Sequence, residues 1–380
     1  QNITVIKFPK TGEISIGILS AVKYLAVLIF QMVLGSFADK HAEKVPLQRM
    51  LILMTFVNII FSFLFYLTGH TMWMAMLTLI VFGMTIHCAS PLVDSLSIQY
   101  MNHGVKMNYA ISRACGSLCW AVFCVVVGLI ADAFGANRIL IFQIVVSFLF
   151  AFFAFNMDAV DFSKERKKEE KTEDLASENS DTKCETGEVH SCFYLLKHFP
   201  KYSLFLLGLV FVFAAYNMNS TFLIDWIEGM GGNHADYGMA QFVLAMAEIP
   251  VALVFYRIRG RVSIDKLMVV CAFFCFLRAT ATTFSGSVTL VILSQALELL
   301  GLSIYYVGTV YFVMDYLPQA DAVKGASLIN LAGMGLGEMA GSISCGLIKD
   351  AFGLRNLMLL SSGVGFVGVV VMVWMWRRLE

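Results

Sequence analysis

The chain has 380 residues, of which 58% are hydrophobic and only 14% are charged, and its mean hydropathy is +0.75. These values exclude a soluble globular protein and predict an integral membrane protein. The formal net charge is zero, so no basic excess points to nucleic acid, and the charged residues gather in loops between apolar runs.

Apolar segments of about twenty residues, long enough to cross a bilayer, recur along the chain. They are continuous and lack the alternation of barrel strands, so they predict helices. We expect eleven of them, at 14–38, 48–68, 72–99, 108–133, 138–156, 200–226, 236–256, 265–284, 287–315, 322–348 and 355–376.

The loops that are rich in Lys and Arg all fall on one side if the segments alternate in direction. Basic loops face the cytoplasm, so we expect residue 1 outside and the C-terminus inside, in the plasma membrane or a bacterial inner membrane. The basic loops contain Lys40, Lys44 and Arg49, then Lys106, then 164–171, then Arg257, Arg259, Arg261 and Lys266, and finally Arg377 and Arg378.

An internal repeat predicts two halves. GLIADAFGANR, which begins at Gly128, recurs as GLIKDAFGLRN from Gly346. Gly17 aligns with Gly238, but a whole segment, 200–226, precedes Gly238 and only sixteen residues precede Gly17. We therefore expect an all-α bundle of six plus six helices in which the first helix of the first half is missing.

The halves are expected to be separate domains, at 1–156 and 196–380. The segment 157–195 between them is dense in Lys, Glu, Asp, Ser and Thr. Such a composition cannot bury a core, so it predicts a disordered cytoplasmic linker. A regulatory binding segment is the alternative.

The sequence FQMVLGSFADK at 30–40 resembles the G-x-x-x-D-R/K signature of the major facilitator superfamily, and this resemblance implies a gate role for Gly35, Asp39 and Lys40. Four short motifs are similar to the oligosaccharide:proton symporter branch, which is lactose permease-like. They are PLVD at 91–94, SRACGSLCW at 112–120, LAMAEI around Glu248 and FLRATAT around Arg278.

The resemblance implies roles for five residues in a sugar transporter that works by proton symport. Asp94 and Arg113 would hold sugar hydroxyls, Trp120 would stack on the sugar ring, and Glu248 would be a second sugar-binding carboxylate. Arg278 would tune proton release.

The chain departs from that branch at three of its functional positions. The histidine of the branch is Glu298 here, its proton-carrying glutamate is Gly301, and an asparagine is Val251. Galactoside specificity and the usual proton site therefore do not carry over.

Ionisable residues inside apolar segments mark substrate or proton paths. Four acids, Asp94, Glu248, Glu298 and Glu338, face three bases, Lys23, Arg113 and Arg278. Because desolvation favours the protonated form of an unpaired acid, one acid is expected to carry a proton. We predict that it is Glu298, with Glu248 and Arg278 assisting; the alternative is a neutral acid that only hydrogen-bonds a neighbour.

Polar and aromatic groups near mid-depth suit a hydroxylated ring. Asn217 or Ser220, together with Gln295, replaces an aspartate–lysine pair of the resembled branch, and we predict that Asn217 and Gln295 contact substrate. The other members of the lining are Trp120, Tyr216, Asn219, Tyr305 and Tyr306. Glycines at Gly333, Gly335, Gly337 and Gly341 predict close helix packing.

Lys23 and Glu338 fall at similar depths from the outside, so we predict a salt bridge that closes an outer gate. The alternative is that each residue is solvated separately.

Together these patterns predict a secondary transporter for a sugar-like molecule, moved with protons by alternating access. A nucleoside symporter or a drug or metabolite exporter of the same fold is an alternative, and a non-transporting membrane sensor is a different class. The chain shows no nucleotide-binding loop, metal set or nucleophile–base pair, so we expect no enzyme and no cofactor. Its expected partners are the substrate, protons and the lipid bilayer, with the chain acting as a monomer.

Overall fold

In a computed structural model of the chain, nine stretches of residues are described. They consist of helices joined by turns and short irregular segments, with no strand in these stretches, which confirms the predicted all-α fold. The described residues are 22–27, 29–30, 34, 46–67, 72–102, 109–135, 138–156, 192–318 and 321–378.

Four helices follow the helical stretch that contains residues 22–27. They match four predicted segments to within a few residues, because continuous apolar runs of this length favour helices in a bilayer. They are α1 (Leu47–Leu67), α2 (Met72–Asn102), α3 (Tyr109–Phe134) and α4 (Arg138–Phe155).

The predicted linker, 157–195, lies outside the described residues except for its last four residues, which begin a short helix, α5 (Cys192–His198). The helices that follow are α6 (Pro200–Thr221), α7 (Leu223–Gly229), α8 (His234–Arg259), α9 (Ile264–Phe284), α10 (Val288–Ser294), α11 (Leu302–Tyr316), α12 (Ala322–Asn330) and α13 (Glu338–Arg377).

Two of the predicted segments are not regular α-helices throughout. A 3-10 helix, Gln295–Leu300, interrupts the predicted segment 287–315, and a π-helix, Leu331–Gly337, interrupts 322–348. In the first, side chains bond to carbonyl groups of the main chain: the Gln295 amide to Val291 and the Ser303 hydroxyl to Glu298. Such bonds compete with the regular helical pattern.

Seven helical stretches within the described ranges are long and apolar enough to cross a membrane. The longest, Lys324–Arg377, has 54 residues and bends at Gly353, where φ is +82°. Gly135, at the same position of the first repeat copy, has φ +84°. Both copies of the repeated sequence therefore turn in the same way, through a left-handed conformation that glycine adopts without strain.

The helices form two compact units. The larger unit comprises Gln1–Leu25, Asn108–Ile139 and Val189–Glu380, and the smaller unit comprises Ala26–Met107 and Leu140–Glu188. The predicted domains follow the sequence repeat rather than these contacts, and their boundaries stay a prediction.

The larger unit has a core built between α6 and α11, where the rings of Phe205 and Phe312 stack with centroids 4.0 Å apart. The predicted glycine packing is present here. A Cβ atom at Gly341 would lie 2.7 Å from the Ala214 carbonyl oxygen, so α6 and α13 approach closely only because this residue is a glycine.

The smaller unit has its own apolar core between α1 and α2. Polar contacts also join its helices: the Gln143 amide donates to Asn58 at 3.3 Å and to Ser62 at 3.2 Å. The core residues are Leu51, Met54, Cys88, Leu92 and Leu96.

Candidate functional site

The larger unit contains a set of polar side chains, most of which the sequence predicted at mid-depth. They come from the stretch 22–27 and from six later helices, one of them the 3-10 helix, and they interact electrostatically with one another. We call this set the central polar cluster: Lys23, Tyr24, Tyr216, Asn217, Glu248, Arg278, Gln295, Glu298, Tyr305, Tyr306 and Glu338.

Arg278 on α9 is held from three directions. Its Nε lies 3.4 Å from Oε2 of Glu298, its guanidinium donates to Oε1 of Gln295 at 3.0 Å, and it sits over the Tyr216 ring at 4.4 Å from the centroid. Arg278 and Glu298 each expose only 1% of their side chains. A buried guanidinium is tolerable here because a carboxylate, an amide and a ring face share its charge.

Gln295 is fully buried and its amide is occupied by the protein itself. Besides accepting from Arg278, it donates to the Val291 carbonyl at 3.1 Å, to Ser294 at 3.1 Å and to Thr282 at 3.3 Å. In this conformation, Gln295 positions Arg278. Its predicted contact with substrate stays a prediction.

Glu298 lies in the 3-10 helix at the break that ends at Gly301. Its main-chain carbonyl accepts from the Gly301 N–H at 2.9 Å and from the Ser303 hydroxyl at 2.7 Å. Its Oε2 faces Arg278 without a well-formed hydrogen bond. Discontinuous helices are a common way to build ion and substrate sites inside membranes, so the position of Glu298 suits a proton site.

Glu338 is the first residue of α13, directly after the π-helix, and irregular turns of this kind often occur at functional sites. It interacts with the charge of Lys23 and hydrogen-bonds the hydroxyl of Tyr24. The Lys23 ammonium lies over the Tyr24 ring, 3.9 Å from its centroid. The two predicted gate residues are therefore brought together, with Tyr24 as their shared neighbour.

Asn217 on α6 joins this pair to α13. Its amide donates to the Tyr24 hydroxyl at 3.2 Å, and its oxygen accepts from Ser342 at 2.9 Å and from Thr221 at 3.2 Å. Sequence reasoning missed Tyr24 and Ser342. The sequence shows only that Tyr24 adjoins Lys23 in an apolar segment, and this does not indicate which residues Tyr24 contacts.

Glu248 lies on α8, half-buried, and interacts electrostatically with Tyr216 and Tyr306. The contacts between α3 and α8 show which residue of α3 lies at the same height as Glu248. A Cβ at Gly238 would touch the carbonyl of Cys124, and one at Gly128 would touch that of His234, so the helices are antiparallel. Glu248 lies ten residues after Gly238 on α8, which is about 15 Å along the helix axis. Ten residues before Cys124 on α3 is residue 114, so residue 114 and Glu248 lie at the same height.

The remaining predicted substrate residues are described in part. Trp120 lies on α3 with 52% of its side chain exposed. The main chain of Asp94 and Arg113 is helical, but their side chains lie outside the described part. The predicted gate residues Gly35, Asp39 and Lys40 also lie outside it.

The residues that the structure describes contain no group of side chains that could bind a metal ion. No group of three or more His, Cys, Asp or Glu side chains is placed there to hold an ion. The cluster offers ion pairs, phenol groups and ring faces, which can bind a polar ring and hold a proton.

The comparisons with known proteins agree with this architecture. The MFS_1 like family matches the chain over residues 12–360. No curated protein matches the chain in sequence.

Solved structures show the same fold. The nucleoside transporter NupG is 15% identical, with a TM-score of 0.74 over 97% of this chain and 91% of that one, and a NupG mutant gives 0.76. A mutant of the peptide transporter POT in complex with alafosfalin is 13% identical, with a TM-score of 0.67 over 100% of this chain and 91% of that one. At such identities the likeness shows the fold alone.

Proposed function

Because the chain belongs to the MFS_1 like family and has the fold of a multi-pass membrane transporter, we propose that it is a secondary active transporter for a sugar or a similar polyhydroxylated small molecule. The observation that carries the proposal is the buried Arg278–Glu298 pair, in which Glu298 lies in an interrupted helix and Arg278 lies over the Tyr216 ring. The basic loops place the C-terminus on the cytoplasmic side of a cell membrane.

The substrate site is formed by Asp94, Arg113, Trp120 and Glu248, as the lactose permease-like motifs suggest. The antiparallel register of α3 and α8 supports this, because Glu248 lies level with residue 114, next to Arg113 in the chain. An exposed indole on the same helix offers a ring face to a pyranose, and carboxylates accept from its hydroxyl groups.

The coupled proton binds Glu298. When Glu298 is ionised, it balances Arg278; when it is protonated, Arg278 keeps the Gln295 oxygen and the Tyr216 ring as partners. The arginine is thus stabilised in both protonation states. Such a pair can gain and lose a proton without leaving a bare buried charge.

Lys23 and Glu338 close the gate on the side opposite the basic loops. Their attraction is strong only when water leaves, so it favours the closed state of that side. The double variant Lys23→Glu with Glu338→Lys should recover part of the transport that each single variant loses. A double variant no better than the single ones would argue against the gate.

A nucleoside is the second candidate substrate. The resemblance in fold to NupG, a nucleoside transporter, favours it, and a nucleoside also offers a ring and hydroxyl groups. The two substrates differ in the base, which a tryptophan ring can stack on without hydrogen bonds.

The deciding experiment is uptake by the purified protein in proteoliposomes. Radiolabelled sugars and nucleosides are offered with and without an inward proton gradient. We expect uphill accumulation of one class with the gradient. Accumulation that ignores the gradient would contradict proton symport, and no uptake of either class would contradict the proposed substrates.

Glu298→Gln tests the coupling residue in the same assay. It should keep exchange of substrate and lose uphill accumulation. Asp315→Asn is the matched control, because Asp315 is paired with Arg259 at the end of α11, away from the cluster. If Glu298→Gln still accumulates substrate, another acid carries the proton.

A further inference from the structure

The end of α3 and the beginning of α8 are joined by a carboxylate. Asp132 accepts from the His234 N–H at 3.0 Å and from the Ala235 N–H at 2.8 Å, and it contacts the His234 ring nitrogen at 3.1 Å. On its other side, the His234 ring lies 3.8 Å from Glu228 of α7.

The first N–H groups of any helix have no partner inside the helix. In α8 they are shared between two caps. The side chain of Asn233, the residue before α8, accepts from the Asp236 N–H, and the Asp236 carboxylate accepts from the Asn233 N–H, each at 2.9 Å. The N–H groups of His234 and Ala235 bond to Asp132, which belongs to another helix.

Two glycines make this approach possible. A Cβ atom at Gly128 would lie 2.5 Å from the His234 carbonyl oxygen, and one at Gly238 would lie 2.5 Å from that of Cys124. The main chains of α3 and α8 are therefore in direct contact just below Asp132.

We infer that Asp132 is a removable cap: it latches α3 to α8 while this end of the transport path is closed, and it must leave α8 for the end to open. The inference rests on the proposed alternating access, in which α3 and α8 belong to opposite halves. Separation of α3 from α8 would break the hydrogen bonds from the His234 and Ala235 N–H groups to the Asp132 carboxylate. The latch therefore favours the closed state.

The latch is placed to open reversibly. Asp132 and His234 expose 27% and 26% of their side chains, so water can replace their contacts. Lys349 and Asp225 form a different pair, 2.7 Å apart, between α13 and α7, which lie in the same half. Motion between the halves does not break that pair, which makes it the matched control.

The test uses the native thiol of Cys124, which is half-buried beside α8. A variant with Cys124 as its one cysteine is purified in detergent, and the rate of its reaction with a soluble maleimide is measured. The assay needs neither substrate nor a known orientation, so it stands apart from the uptake experiment.

Asp132→Ala should speed labelling by about 2- to 30-fold, the range expected for the loss of a helix cap, and Asp132→Asn should speed it less. Asp225→Ala should leave the rate unchanged. Gly128→Ala forces the main chains apart and should also speed labelling. A wild-type rate in Asp132→Ala beside a raised rate in Gly128→Ala would overturn the latch, as would a wild-type rate in both.

Discussion

Glu298 and Glu338 are both acids in irregular stretches of membrane helix, yet their surroundings differ. Glu298 faces Arg278 of α9, twenty residues earlier in the chain, and both side chains are buried. Glu338 meets Lys23 and Tyr24, which lie more than three hundred residues earlier in the chain. The difference suits the two proposed roles: an acid balanced by a nearby base for holding a proton, and an acid balanced by a distant helix for responding to the position of that helix.

The largest expected effect breaks the buried pair. Arg278→Ala leaves Glu298 buried without its counter-charge, which should cost about 3–5 kcal/mol of stability. Thermal unfolding in detergent measures it, and removing Glu298 as well should recover part of the loss. Glu338→Ala should cost less, because Glu338 is less buried. An equal loss would erase the distinction between the two acids.

A smaller effect comes from the residue that positions the arginine. Gln295→Ala removes the acceptor of the Arg278 guanidinium and should cost about 1–3 kcal/mol, because a buried donor loses its partner. Thermal unfolding again measures this cost. Uptake is measured as well, with Gln143→Ala in the smaller unit as the amide control. Uptake that falls equally in both variants would show a general loss of folding instead of a role at Arg278.

The smallest effect sharpens the comparison from the side of Glu338. Tyr24→Phe removes the hydroxyl that connects Asn217 with Glu338 and should cost about 0.5–1.5 kcal/mol. Tyr66→Phe, at a partly exposed tyrosine of α1, is the control for losing a phenol. If the two variants unfold at the same temperature, Tyr24 does not join these elements.

The helices could be predicted because their signal is local. Runs of about twenty apolar residues can satisfy their main-chain hydrogen bonds in a bilayer only as helices, so the segments at 48–68 and 138–156 correspond to α1 and α4 almost residue for residue. The repeat was visible in the same way: copies of one motif turn at Gly135 and Gly353 with nearly equal φ.

Part of the cluster was also readable from the sequence. Charges in apolar segments are rare enough to name Lys23, Arg278, Glu298 and Glu338. In the structure Arg278 Nε lies 3.4 Å from Glu298 Oε2. The substrate, the proton site and the gate stay predictions.

Only the tertiary structure decided which groups those charges meet. That Gln295 holds Arg278, that Tyr24 reaches Asn217, and that Asp132 caps α8 depend on contacts between segments distant in sequence. Hydropathy gives the depth of a residue but not the direction of its side chain. The sequence therefore shows that burying a polar residue in an apolar helix costs free energy. Which partner offsets that cost depends on how the helices pack.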